Sequence, residues 1–409
     1  MKIFKRILAV LCWTLIAGGV INLFTNSAYG MFPMSLALIV LLFRWGKDLW
    51  FVDPATIYMD GWKRGLIYVG YHICIFLVCA LIGVTISIFI ANGDPLVTNW
   101  IFFLATLILG LCIHPKKYIP RHIYIQNGVT SIENSAFSER NSLRTATIGK
   151  GVTSIGENPF DSCRKLKAFY GEFASADNRC LITDGVLKSF APAGLTEYSI
   201  PNNTTSIGEL AFHNCTSLKS ITIPDSVTSI GDSAFCKCIS LKSVTIPDSV
   251  TSIESNAFYC CGALTSVTIG NGVASIGKNA FYGCISLTSI SIPNGVASIE
   301  DNTFYGCRSL TSITIPDSVT VIGNDVFNDC FGLTSVTIGK GVTSIGEGAF
   351  LWCTSLTSVF CKAITPPSRG DLVFYNNASD IKIYVPRESV EAYKTRWNEY
   401  ADNIVGYDF

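Results

Sequence analysis

The chain has 409 residues and a formal net charge of zero, with 49% hydrophobic and only 15% charged residues, and its positive mean hydropathy is high for a soluble protein. That average joins two unlike parts: residues 1–121 carry ten Lys/Arg and four Asp/Glu, leaving 20 basic and 26 acidic residues in the rest. A basic, apolar front joined to a mildly acidic remainder argues against nucleic-acid binding by the remainder.

In chain order, no charge occurs from Ile7 to Phe43, from Gly65 to Gly93, or from Pro95 to Ile113. A helix needs about 20 apolar residues to cross the hydrocarbon core, so these stretches predict four spans, the second and weakest around "MFPMSLALIVLLF". Lys2, Lys5 and Arg6 precede the first span, Arg44, Lys47, Lys63 and Arg64 lie between the second and third, and Lys116, Lys117 and Arg121 follow the fourth. All ten fall on one side of a four-span arrangement, the side expected to be cytoplasmic. A signal peptide ending near Ala28 and Gly30 is the alternative for the first segment and leaves the side unchanged. An odd number of spans would reverse it. The linker "HPKKYIPR" contains two prolines and holds the remainder of the chain close to the bilayer.

A fixed repeat begins next. Leu143, Leu166, Leu195, Leu218, Leu241, Leu264, Leu287, Leu310, Leu333 and Leu356 are spaced by 23 except for one interval of 29. A period in the twenties means a solenoid whose units stack to bury a shared core. In the unit from Leu218, "LKSITI" alternates like a short strand, "PDS" is a turn in which Asp or Asn bonds its own backbone, and "VTSI" forms a second short strand. "GDSAF" predicts a tight helical turn that drops Phe235 into the interior.

The pattern "LxxIxIPDSVTSIGxxAFxxC" resembles the BspA-type leucine-rich repeat, also called the Treponema type, found in bacterial surface antigens. The resemblance covers about residues 120–360 in register. The 29-residue unit, "ADNRCLITDGVLKSFAPAGLTEYSIP", is similar to a variant unit of that family and predicts a hairpin turning at "TDG". No asparagine ladder is present; the "PDS", "PNG" and "GKG" turns stand in its place. The tail resembles the family's closing segment: a strand, then a helix with Pro386 near its start and an apolar face from Val390, Tyr393 and Trp397. The resemblance implies adhesion to host proteins or neighbouring cells and an extracellular solenoid, whereas the charge distribution favours a cytoplasmic one.

The fold class expected is therefore an α/β repeat solenoid, with short strands, turns and short helical segments, fused to an N-terminal α-helical transmembrane region. Its boundaries are residues 1–117 for the membrane region, 118–360 for the solenoid and 361–409 for the closing segment. Localisation would be a bacterial cell membrane, multi-pass.

Chemistry is sparse. Cys163, Cys215, Cys238, Cys261, Cys284, Cys307, Cys330 and Cys353 each sit three residues after a repeated Phe, a buried position where free thiols act as small hydrophobes. Cys236 and Cys260 break the pattern, but the four histidines are not at ligand spacing, so no metal, cofactor or catalytic residue is assigned. His213 reads as a surface residue. Asp225, Asp248 and Asp317 recur because the turn recurs. No Walker loop, HExxH, GxSxG or GxGxxG occurs, and no enzyme activity is expected.

What remains is a surface. The exposed strand positions run from Lys219, Ser220 and Thr222 through Thr334, Ser335 and Thr337 as a hydroxyl face; Thr268, Ser291 and Thr314 lie on it. A polar polymer could hydrogen-bond there, and a merely solvated β-face would look the same. Tyr259, Tyr282 and Tyr305 follow successive repeat phenylalanines and predict a row of rings that either anchors a partner or packs ring on ring. These six residues are the candidate binding surface for a protein or glycan, with the lipid bilayer as the other partner and no nucleic acid. A small transporter or sensor regulated by the solenoid is the competing reading, and only His72 is ionisable within a span apart from cysteines.

Overall fold

The computed structural model describes residues 121–409, all within the unit Ile119–Phe409. The expected spans over residues 7–113 lie outside the described residues, and among the described residues no helix is long and apolar enough to cross a membrane.

Each regular repeat contributes one strand of two to four residues, such as Ser243–Ile246, and one of two residues, such as Ser252–Ile253. Alternation points Val244 and Ile246 inward and Ser243 and Thr245 outward. Successive repeats pair in parallel with a shift of one period: Ser243 with Ser266, Val244 with Val267, Thr245 with Thr268 and Ile246 with Ile269. Because the register equals the repeat length, like stacks on like. The core is thus a set of columns, and Phe212, Phe235, Phe258, Phe281, Phe304, Phe327, Phe350 and Phe374 form one of them, with centroids 5.0–5.6 Å apart. That spacing is imposed by parallel strands about 4.8 Å apart.

The helical turn expected at "GDSAF" is not a helix. Ser233 and Lys237 take positive φ, 54° and 59°, and the N–H groups of Ser233, Phe235 and Lys237 bond to the carbonyls of Ser255, Ala257 and Tyr259 in the next repeat. A left-handed residue on either side of the Phe breaks the run of helical dihedrals. The segment instead makes a third hydrogen-bonded ladder, so the unit is a β-solenoid rung without a helix.

At the long unit the strands Cys180–Thr183 and Val186–Phe190 form the expected hairpin, with Asp184 and Gly185 at positive φ in its turn. It is antiparallel, whereas every other strand pair among the described residues is parallel. The hairpin interrupts the main sheet: His122–Ile125, Thr145–Ile148 and Ala168–Tyr170 form one sheet, and pairing resumes at Glu197–Ser199. Pairing breaks again after Ser289–Ile290 and restarts at Ser312–Ile315.

The C-terminal end is closed by the helix Val390–Arg396. Tyr393 and Trp397 are fully buried, donating to the carbonyls of Ala363 (2.7 Å) and Pro367 (3.0 Å). One rung has no signal in the repeat pattern: Ile404–Tyr407 returns to pair in parallel with Lys382–Pro386.

Candidate interaction surface

The cysteine column is structural. Seven thiols, those of Cys163, Cys238, Cys261, Cys284, Cys307, Cys330 and Cys353, each lie 3.1–3.3 Å from the carbonyl of the repeat Phe one unit earlier and donate to it. That carbonyl also accepts its own unit's Cys N–H, as Phe258 does from Cys261, so the thiol supplies a second donor in a space that fits little else. Burial pushes the thiols of Cys261, Cys284, Cys307, Cys330 and Cys353 up, and that of Cys163 to about 11, so these stay protonated. All twelve described cysteines are free.

The turn carboxylates do not bond their own backbone as expected. Asp248 and Asp317 accept the N–H of Asn271 (2.7 Å) and Lys340 (3.0 Å) in the following repeat. Asn134, Asp301 and Asn324 do the same at the second turn. Side-chain acceptors one rung apart thus replace the asparagine ladder that the repeat lacks.

His213 is not a surface residue. Its Nδ1 lies 2.7 Å from Asp161 Oδ1, with both side chains largely buried. The two are 52 positions apart because the hairpin unit lacks the Phe-bearing turn, and the turns of its neighbours meet directly: Asn158 also donates to the Leu210 carbonyl and Asn214 to Ser162. The hydrogen bond to Asp161, then that to Cys236, outweighs burial and raises His213 to about 9. Burial opposes ionisation of Asp161, but hydrogen bonds from His213, Ser162 and Ser138 hold it below the usual carboxylate range.

The candidate surface residues separate into two groups. Tyr259, Tyr282 and Tyr305 are half-buried and stacked on one another at 4.8 Å, with interplanar angles of 12° and 6°; ring-on-ring packing and partial exposure coexist. Thr268, Ser291 and Thr314 are exposed on the strand face, Ser291 beside the seam in the sheet. A second threonine column lies three positions earlier on each rung, and its hydroxyls are consumed: Thr265, Thr288, Thr311, Thr334 and Thr357 each donate to the carbonyl one repeat earlier. The hydroxyls of Thr268, Ser291 and Thr314 have no such partner among the described residues. At the C-terminal end the exposed column turns aromatic, with Phe360 and Tyr384 stacked at 4.7 Å and Tyr407 edge-on to both. Aligning "SVFC" and "KIYV" with "SVTI" would have found Phe360 and Tyr384. Among the described residues no group of three His, Cys, Asp or Glu side chains could hold a metal.

The profile of the BspA type leucine rich repeat region matches in six copies, over residues 119–176, 187–288 and 274–398. The chain belongs to the BspA-type leucine-rich repeat family. Similar solved structures include a leucine-rich repeat protein from Eubacterium ventriosum, 26% identical over 56% of this chain and 63% of that one, with a TM-score of 0.49. Another is a leucine rich cell surface protein from Faecalibacterium prausnitzii, 27% identical over 71% and 88%, TM-score 0.37. The pneumococcal vaccine antigen PcpA is 20% identical over 71% and 80%, TM-score 0.44. A comparison with curated proteins finds no match. The BspA-type repeats occupy the strand faces and turns described above, so the surface they present is a property of the repeat itself.

Proposed function

We propose that the chain is a bacterial, membrane-anchored, non-catalytic interaction scaffold whose BspA-type solenoid holds an extended protein or glycan along its strand face. One observation carries this reading: of two hydroxyl columns three positions apart on each rung, one is satisfied internally and the other is exposed and unpartnered. A column needed only for folding would bond like the first; one that faces a partner keeps its donors and acceptors open. The uncharged stretches over residues 7–113 supply the anchor, and surface adhesion is the role for an outward-facing solenoid.

The test replaces Thr268 and Thr314 by Val and Ser291 by Ala in one full-length variant and measures it on arrays of glycans and extracellular proteins. Binding to the best ligand should fall about tenfold, for two or more lost hydrogen bonds, with the melting temperature unchanged. Unchanged binding would sink the strand-face reading.

A further inference from the structure

We infer that the first sheet of the solenoid is a binding site for an acidic polysaccharide, read by a column of unpaired cations beside two exposed tyrosines. The column comprises Arg121, Arg144 and Lys167, one per rung, locked in line by the backbone bonds from Arg144 N–H to the Arg121 carbonyl (2.6 Å) and from Lys167 N–H to the Arg144 carbonyl (2.7 Å). Lys219 and Lys242 occupy the same repeat position beyond the hairpin, with Lys242 N–H bonded to the Lys219 carbonyl at 3.0 Å. Among the described residues none of these five is in an ion pair.

Folding does not explain them. Later rungs fill the same position with Thr265, Thr288 and Thr311, whose hydroxyls tie one repeat to the next. Lys and Arg forgo that bond and place like-charged residues on neighbouring rungs whose backbones are about 4.8 Å apart, an arrangement that disfavours a sheet. Such a conflict between local choice and stability is expected where a ligand supplies the missing charge.

The chemistry of the ligand follows from the neighbouring positions. Tyr124 and Tyr170, each 45% exposed, stand on the rungs of Arg121 and Lys167, with Thr147 between them. Two rings about 10 Å apart, or two strand spacings, match alternate sugars of an extended glycan whose flat faces stack on tyrosine. The cation column then lies where carboxylates or sulfates along one edge of that glycan would fall. A shallow groove lined by Tyr124, Thr147, Lys150 and Glu172 lies at the other end of these strands from the cation column, and Glu172 is its one carboxylate.

The proposal rests on the reading of the strand face as a docking surface. The full-length chain in uncharged detergent is titrated with hexagalacturonate, and in parallel with maltohexaose, hexaglutamate and phosphatidylglycerol vesicles. Hexagalacturonate should bind best and weaken as salt rises. Arg144→Gln with Lys167→Gln should weaken it about tenfold or more without lowering the melting temperature, because repulsion is relieved. Tyr170→Ala should also weaken it, and Lys362→Gln should not. Hexaglutamate or vesicles binding as well as hexagalacturonate, or a double variant that binds like the wild type, overturns the site. Maltohexaose bound equally well, and lost only in the Thr268, Ser291 and Thr314 variant, would overturn the acidic ligand while leaving the strand-face reading intact.

Discussion

A single cysteine column shows how much a residue choice decides in a stacked fold. The thiol of Cys284 adds a second donor to the Phe258 carbonyl at 3.3 Å while filling a fully buried space. Valine has similar bulk and no donor, so Cys284→Val isolates the bond. It should cost about 0.5–1.5 kcal/mol, read as a lower urea midpoint at unchanged slope; an unchanged midpoint would show that the column serves packing alone. The burial of the cysteines was legible from their spacing after Phe. Their hydrogen bond was not, because its acceptor lies 26 positions earlier. A separation of 23 positions likewise hid the role of Asp248, whose acceptor oxygen looks local in sequence and acts on the next rung.

At the level of elements, strands and turns followed from alternation and from Pro, Asp and Gly. The segment around each repeat Phe did not, since left-handed residues such as Ser233 and Lys237 are stabilised by bonds to a neighbouring unit. The hairpin was placed correctly at "TDG", yet its consequence was invisible: omitting one Phe-bearing turn brings His213 onto Asp161. That pair has a pH signature. His213 is raised from 6.5 to about 9, so its stabilisation is complete below about pH 6.5 and disappears as pH rises toward 9. Asp161 is lowered from 3.8, so its share is complete above about pH 4 and lost on acidification. The difference in melting temperature between wild type and His213→Gln should therefore be largest between about pH 4 and 6.5 and shrink on both sides. A pH-independent difference would mean the pair is not ionic.

For the whole molecule, the proposed membrane anchor carries a prediction about which side bears the solenoid. The basic residues from Lys2 to Arg121 would put it in the cytoplasm if residues 7–113 cross a membrane an even number of times. In that case an impermeant protease added to intact cells should leave the C-terminal tail detectable on a blot until the cells are lysed. Loss of the tail from intact cells would instead mean an odd number of spans and would make surface adhesion the leading role.

The sequence by itself determined the repeat, its register and its core, because a period of 23 leaves one way for identical units to bury Leu, Phe and Cys against their copies. It also determined the chemistry available: hydroxyls, tyrosines and turn carboxylates. Only the tertiary structure decided which of these are occupied. Thr265 and Thr268 are three residues apart and alike in sequence, yet one hydroxyl closes a rung and the other faces outward. Arg121, Arg144 and Lys167 form a column only once three strands lie side by side. Stacking converts a sequence interval of one period into a contact of about one strand spacing, and it is at that distance that hydrogen bonds are satisfied and like charges left exposed.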